Sequence, residues 1–338
     1  MNLLRSTHLI ALAGLAVAAL SLSAQQKKEK AKPVSEPQTW EEKAAARFTG
    51  PSEEQAALIN AAVPKAPTAK PAKERRILVF YRCETFIHTS IPFANHALVS
   101  MGNRTGAYVA DLADQYEVFT PENLAKYDLI CFNNTTSLQP NEAQKAAILE
   151  FVRSGKGVVG IHAAGDNFKT WPEGVAMIGG DFNGHPWTAG GTWAFKVDDP
   201  AHTLNATFGG KGFWHQDEIY WYKPESFQGR EKLRVLVSLD MSRPENQKAV
   251  QNEKFQDKFT GTPEDIDVAV SWCHKVGDGR VFYTNIGHRD ETFWNSTMLQ
   301  HYLDGIQYAM GDLAAEDMPV KGLKAAPAPE TPPAPAAK

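Results

Sequence analysis

The stretch 156-KGVVGIHAAGDNF-168 decides the fold. Val158, Val159 and Ile161 form a short apolar run between glycines, the mark of a strand buried on both faces. The run ends in His162, two alanines, Gly165 and Asp166. In an open α/β sheet, ligands bind outside the carboxyl ends of the strands. A histidine and an aspartate at such an end form either part of a site or a polar strand-to-helix turn.

Similar strands recur on both sides of this one. ILVFY (77–81), AYVADLAD (107–114), DLICFNN (128–134), LRVLVSL (233–239), DVAVSWCHKV (267–276) and RVFYTNI (280–286) all read as strands. Helical patterns cover 91–101, 141–154 and 293–310, the second opening after Pro140 and stopped by Gly155. GDG between the last two strands is a hairpin signal. The alternation predicts an α/β fold with a mostly parallel sheet and an antiparallel addition near its end. Residues 166–223 are rich in glycine and aromatics and carry no clear period.

The flanks read differently. Arg5, the uncharged run of fourteen residues at 9–22 and the small residues of SLSAQQ make 1–24 a signal peptide by pattern. The expected location is therefore periplasmic or secreted, with no membrane span after cleavage; the alternative is an uncleaved anchor. Residues 25–75 have the Ala/Lys/Pro/Glu composition of a linker, with one short helix marked by the Ser52–Gln55 capping box. Residues 313–338 are Pro/Ala-rich and are expected to be disordered. The folded domain is expected over 76–312. A formal charge of −4 gives no electrostatic case for nucleic acid. Cys83, Cys131 and Cys273 are odd in number and read as small buried hydrophobes.

Polar residues gather behind four separate strands. Arg82, His88 and Thr89 follow the first; Asn133 and Asn134 close another; His162 and Asp166 follow VVGI; His288 and Arg289 follow RVFYTNI. A parallel sheet places these ends along one edge. The middle segment adds His185 and Trp187 in GGDFNGHPW, and Asp217 and Glu218 in FWHQDEIYWY. Acids set among Phe213, Trp214, Tyr220, Trp221 and Tyr222 are expected to have raised pKa values, which suits acid–base work. Flat aromatic faces also suit sugar rings. Each feature has a plainer alternative: Thr89 and Asp166 as helix caps, and the aromatics as core with a polar rim. Imidazole suits both proton transfer and divalent metals, but no HExxH or paired Cys/His spacing occurs. A divalent metal is thus left open, and no cofactor is required. There is no G-x-S-x-G elbow, no P-loop and no G-x-G-x-x-G.

With ETFIHTSIP, GVVGIHAAGDNF, GGDFNGHPW, DPAHTLN, DEIYWY and GDGRVFYTNIGHRDETF in this order, the chain resembles the ThuA-like family, named for trehalose utilisation. The resemblance implies a class I glutamine amidotransferase-like fold, a flavodoxin-like three-layer sandwich. Amidotransferases carry a nucleophilic cysteine at a sharp elbow after a strand. GIHAAG holds His162 at the corresponding place, which speaks against glutamine hydrolysis. The implied role is sugar utilisation, in some relatives of disaccharides oxidised at C3. A 3-keto sugar has acidic C–H bonds at C2 and C4, so a base and a polar cradle open isomerisation, epimerisation or elimination. The activity expected is that of a lyase, isomerase or hydrolase. His162 and His288 are the first candidates for proton transfer, then His88 and His185, with Asp217 or Glu218 sharing the work. Arg82, Thr89, Asn133, Asn134, Asp166 and Trp187 are expected to bind substrate. The alternatives are a non-catalytic carbohydrate-binding protein and an amidohydrolase-like enzyme. A small carbohydrate is the expected partner, and the sequence marks no oligomer seam.

Overall fold

The computed structural model describes residues 39–255 and 258–332. The signal-peptide reading of 1–24 and the first part of the expected linker lie outside the described residues. The described residues open with α1 (Trp40–Arg47) and α2 (Glu53–Ala62), then β1 (Arg76–Phe80), α3 (Ile91–Thr105) and β2 (Val109–Ala113). The chain continues through α4 (Pro121–Leu124), β3 (Leu129–Asn133), α5 (Glu142–Arg153), β4 (Gly157–Ile161) and α6 (Pro172–Ile178). The middle segment supplies β5 (Phe182–Trp187), β6 (Thr192–Val197), β7 (Phe213–Gln216) and β8 (Ile219–Tyr222). The last part holds β9 (Arg234–Leu239), α7 (Pro244–Val250), β10 (Ala269–Val276), β11 (Gly279–Thr284) and α8 (Ser296–Ala309).

Nine strands form one sheet in the order β2-β1-β3-β4-β11-β10-β9-β6-β7. The first five are mutually parallel. From β11 onward the pairing is antiparallel, an addition larger than the single hairpin that GDG announces. β5 and β8 pair separately. Every residue of β3 and β4 is buried because helices cover both faces. Ile77 and Val79 point into a core shared with Leu98 of α3 and Ile306 of α8. Leu78 and Phe80 point the other way, into a core shared with Ile148 and Val152 of α5. Each such side chain contributes about 1.5–3 kcal/mol through burial. The result is the expected three-layer α/β sandwich. α5 opens at Asn141, whose side chain forms a capping box with Gln144. α8 starts later than the sequence pattern suggests, because the Asn295 side chain accepts from Thr297 and Met298 N–H and sets the start there.

Two readings of the flanks are corrected. The described part of the expected linker is folded onto the domain. Ile59 and Val63 of the α2 region are buried in the main core, and Trp40 is buried with its indole N–H donating to Asp114 at 2.8 Å. The backbone of Thr68 donates to Gln307 at 2.7 Å, and Arg75 pairs with Asp312 at 2.6 Å. A few well-spaced apolar residues suffice where average composition looks polar. The tail, described as far as Pro332, is not free either. Val197 and Ala326 exchange backbone hydrogen bonds of 2.9 and 2.8 Å, and the Ala328 N–H donates to Asp240 at 2.9 Å. β7 stops pairing with β6 at Phe195, and the tail takes its place beside Val197. An extended Pro/Ala segment suits a sheet edge, where proline's missing N–H does no harm. Among the described residues no helix is long and apolar enough to cross a membrane.

His301 of α8 is fully buried; its Nδ1 lies 3.0 Å from the Leu204 carbonyl, to which it donates, and its Nε2 lies 2.9 Å from the Ser271 hydroxyl oxygen. Burial pushes its pKa from 6.5 down to about 4. The unfolded chain therefore takes up this proton at higher pH than the folded chain. Stability should be undiminished above pH 6.5 and fall by on the order of 3 kcal/mol as pH drops to 4. Urea midpoints measured from pH 7 to 4 should decline less in His301→Asn than in the wild type. Parallel declines would remove His301 from the account.

Candidate active site

The carboxyl ends of β1, β3, β4 and β11 lie along one edge because these strands are parallel neighbours. The loop after β1 carries His88 to the start of α3. The end of β4 delivers His162 directly. The loop after β11 carries His288. β5 brings His185, and the turn between β7 and β8 brings Asp217 and Glu218.

His162 stands at φ +44°, in the left-handed region. This costs an L residue about 1–2 kcal/mol, so something must hold it. Its Nδ1 lies 2.6 Å from the Asn285 carbonyl, and its own carbonyl accepts from the Tyr283 hydroxyl at 2.6 Å. The ring packs on Tyr220, with centroids 4.4 Å apart. A carbonyl can only accept, so Nδ1 carries a proton and Nε2 is the nitrogen that faces the site. Space for Tyr283 comes from Gly165, where a Cβ would stand 2.7 Å from the tyrosine oxygen. Gly287, at φ +144°, lets the β11 loop pass against Ile161 and His162.

Glu218 is the centre of the cluster. Its Oε2 is 3.2 Å from His288 Nδ1 and 3.7 Å from His162 Nε2; its Oε1 is 3.1 Å from His185 Nδ1. His162 Nε2 and His288 Nδ1 are 3.3 Å apart. His88 meets His162 and His288 edge-on, at centroid distances of 4.9 and 5.0 Å. It is 2 % exposed, and its Nδ1 has no hydrogen-bond partner. One ligand atom from each of His88, His162, Glu218 and His288 lies within 4.8 Å of the others, so these four could hold a metal ion.

The raised carboxylate expected from the aromatic surroundings is overturned. Burial does oppose the charge on Glu218, but the nearby His162 ring and the hydrogen bond to His288 outweigh it and hold the acid well below the usual carboxylate range. Burial likewise pulls His288 down, yet its hydrogen bond to Glu218 carries it above the ordinary histidine value. His88 is pushed well below that value by burial and by its histidine neighbours. The neighbouring imidazoles, not the aromatics, set the acid's character. Tyr222 bonds to Tyr283 in the interior, and the half-buried Trp221 packs on Phe259.

Asp217 does not join the histidines as Glu218 does. It is fully buried and accepts from the N–H groups of Gly287 at 2.8 Å, His288 at 3.0 Å, Arg289 at 3.2 Å and Glu218 at 2.8 Å, and from the Thr292 hydroxyl at 3.0 Å. It fixes the loop that presents His288.

Most of the expected substrate-binding residues have other work. Trp187 is 0 % exposed and donates to the Asn246 carbonyl at 3.0 Å, so it is core. Asn133 donates to Asn95 at 2.9 Å and ties β3 to α3. Asn134, itself at φ +52°, donates to the Gly287 carbonyl at 3.3 Å and braces the His288 loop. Arg82 pairs with Glu84 at 2.5 Å and lies over the rings of Trp40 and Tyr116. Asp166 pairs with Lys169 at 2.7 Å, and Thr89 is exposed beside His88. Sequence reasoning missed Asn285, hidden inside a strand pattern, and Phe86. The Phe86 ring is 55 % exposed and sits 4.8 Å from His88. An aromatic two residues before a candidate histidine, in a stretch with no helical or strand period, was the available signal.

Residues 76–309 match the ThuA family, described as trehalose utilisation. Among solved structures, a putative ThuA-like protein from Bacteroides uniformis ATCC 8492 is similar in fold, with a TM-score of 0.54 and 22 % identity over 72 % of this chain and 94 % of that one. A putative ThuA-like protein from Parabacteroides merdae ATCC 43184 gives 0.48 and 16 % over 74 % and 96 %. No curated protein matches the chain.

Replacing Asp217 by alanine strands several buried donors at once. Asp217→Ala should cost about 3 kcal/mol or more in urea denaturation, with part recovered by Asp217→Asn, which keeps one acceptor. A loss below about 1 kcal/mol would mean that the loop stands without it.

Proposed function

The chain belongs to the ThuA family, described as trehalose utilisation, and from that membership we propose that it is an exported sugar-utilisation enzyme that acts on a disaccharide or 3-keto-glycoside by proton transfer in the Glu218 pocket. The observation that carries this reading is a single buried carboxylate contacted by His162, His185 and His288 at the carboxyl edge of the sheet.

The roles follow from access. His162 is fully enclosed, so its part is to hold the cradle in place. The His185 side chain is 46 % exposed and still touches Glu218. His185 therefore reaches a bound sugar, and Glu218 supports the imidazolium formed when it takes a proton. The exposed ring of Phe86 offers a platform for the sugar's C–H face beside His88. On a 3-keto-glycoside, His185 removes the proton at C2 and the charge moves to the C3 oxygen, inside the cradle. A proton delivered from solvent to the other face epimerises C2, and His185 then releases to solvent the proton it took. Expelling the C1 substituent instead forms the C1–C2 double bond, and the leaving oxygen takes a proton. The amidohydrolase-like alternative finds no support at the elbow, which holds His162; nearby, burial pushes the Cys83 thiol up to about 12.

Proton NMR of a 3-keto-glucoside in D2O, with and without added divalent metal, should show deuterium entering next to the ketone. His185→Ala, a change at a half-exposed side chain, should slow that exchange at least about 100-fold with folding intact. An undiminished rate would remove His185 from the reaction. Sugar-induced shifts of the histidine ring signals with no exchange and no product would turn the reading to a non-catalytic carbohydrate-binding protein.

A further inference from the structure

We infer that His88, His162, Glu218 and His288 form the binding site of one divalent transition-metal ion, with His185 and the mouth of the pocket left for substrate. The inference rests on reading this pocket as the reactive site, and gives its cradle a chemical identity. Three imidazoles and one carboxylate suit zinc and neighbouring first-row divalent ions.

The spacing supports this. Ligands bound tetrahedrally at 2.0–2.1 Å from an ion stand about 3.3–3.4 Å from one another. His162 Nε2 and His288 Nδ1 are 3.3 Å apart, His288 Nδ1 and Glu218 Oε2 are 3.2 Å apart, and His162 Nε2 and Glu218 Oε2 are 3.7 Å apart. These are the edges of one ligand triangle. His88 supplies the fourth atom within 4.8 Å. Its near-complete burial and unpaired Nδ1 form an independent observation, since a buried ring nitrogen without a partner is costly.

The surroundings are those of a built site. Metal-binding histidines usually donate their second ring N–H to a carbonyl or carboxylate, which fixes the tautomer. His162 does so toward Asn285 at 2.6 Å. Asn285 is itself held, its Nδ2 donating to Tyr222 at 2.5 Å and its Oδ1 accepting from the Tyr220 N–H at 3.1 Å. Glu218 keeps Oε1 on His185, so Oε2 is oriented toward the histidines. The four ligands come from three strand-end loops and one turn, which is why no short motif announces them. The His288 side chain, 24 % exposed, marks the open side, where a ketone oxygen and an adjacent hydroxyl of a sugar can approach the ion. The ion would polarise that ketone, while His185, outside the ligand set, moves the proton.

Untagged full-length protein, stripped with a chelator and dialysed against zinc, cobalt or manganese separately, should retain about one ion per chain by elemental analysis. The cobalt form should show the intense visible bands of a four- or five-coordinate ion. Glu218→Gln, nearly the same shape, and His288→Asn, at the open side, should each weaken zinc at least about 100-fold and lose the rise in Tm that zinc gives the wild type. His185→Ala should keep the ion. Retention far below one ion per chain, or equal retention by wild type and both ligand variants, would overturn the site. Deuterium exchange by stripped protein, unaffected by added metal, would overturn the ion's part in the reaction while leaving the proton-transfer reading. Stoichiometric metal without any exchange would do the reverse.

Discussion

One buried carboxylate decides whether the pocket exists. Asp217 sits where the turn between β7 and β8 meets the loop leaving β11, and it gathers N–H groups from both sides. The first segment joins the outer antiparallel wing to the separate β5–β8 pair, and the second leaves the parallel core of the sheet. Without a shared acceptor their N–H groups would be buried and unpaired, which folded chains avoid. Once they are joined, Glu218 and His288 face each other within hydrogen-bond reach. Adjacent in sequence, the two acids act in opposite directions, Asp217 inward on backbone and Glu218 outward on imidazole.

The rest of the site is arranged around the cost of enclosing charge. A carboxylate as buried as Glu218 stays ionised only among partners that repay its lost hydration. Three imidazoles do so, and a fourth, His88, stands behind them. The strained backbone at His162 belongs to the same arrangement. Its left-handed backbone is kept where the ring meets Glu218 and His288. The interior tyrosines and Asn285 hold that turn from below. Strain, burial and charge are each unfavourable alone and are stable only together.

Much of this was legible in the chain. VVGI, ILVFY and DLICF read as doubly covered strands because both faces are indeed covered, and the gathering of His88, His162 and His288 behind separate strands followed from parallel pairing. What could not be read depended on partners distant in sequence. Trp187 looks like a sugar platform until Asn246 is found to accept its indole N–H across 59 residues. Asp217 and Glu218 are indistinguishable in a string, since the direction each side chain takes is set by loops about 70 residues away. The flanks misled for another reason. Average composition counts polar residues, whereas docking α1 and α2 took only a few apolar contacts such as Trp40 and Ile59.

The C-terminal tail is held chiefly through its backbone. His202 donates to the Glu316 carbonyl, Arg234 to that of Met318, Trp214 to that of Pro329 and Arg243 to that of Ala328. A carbonyl is the same in every residue. The sheet therefore recognises the tail's path rather than its letters, and many low-complexity sequences of similar size could lie in the same groove. Specificity resides in the receiving side chains, so a segment that looks featureless can still be a fixed part of the architecture.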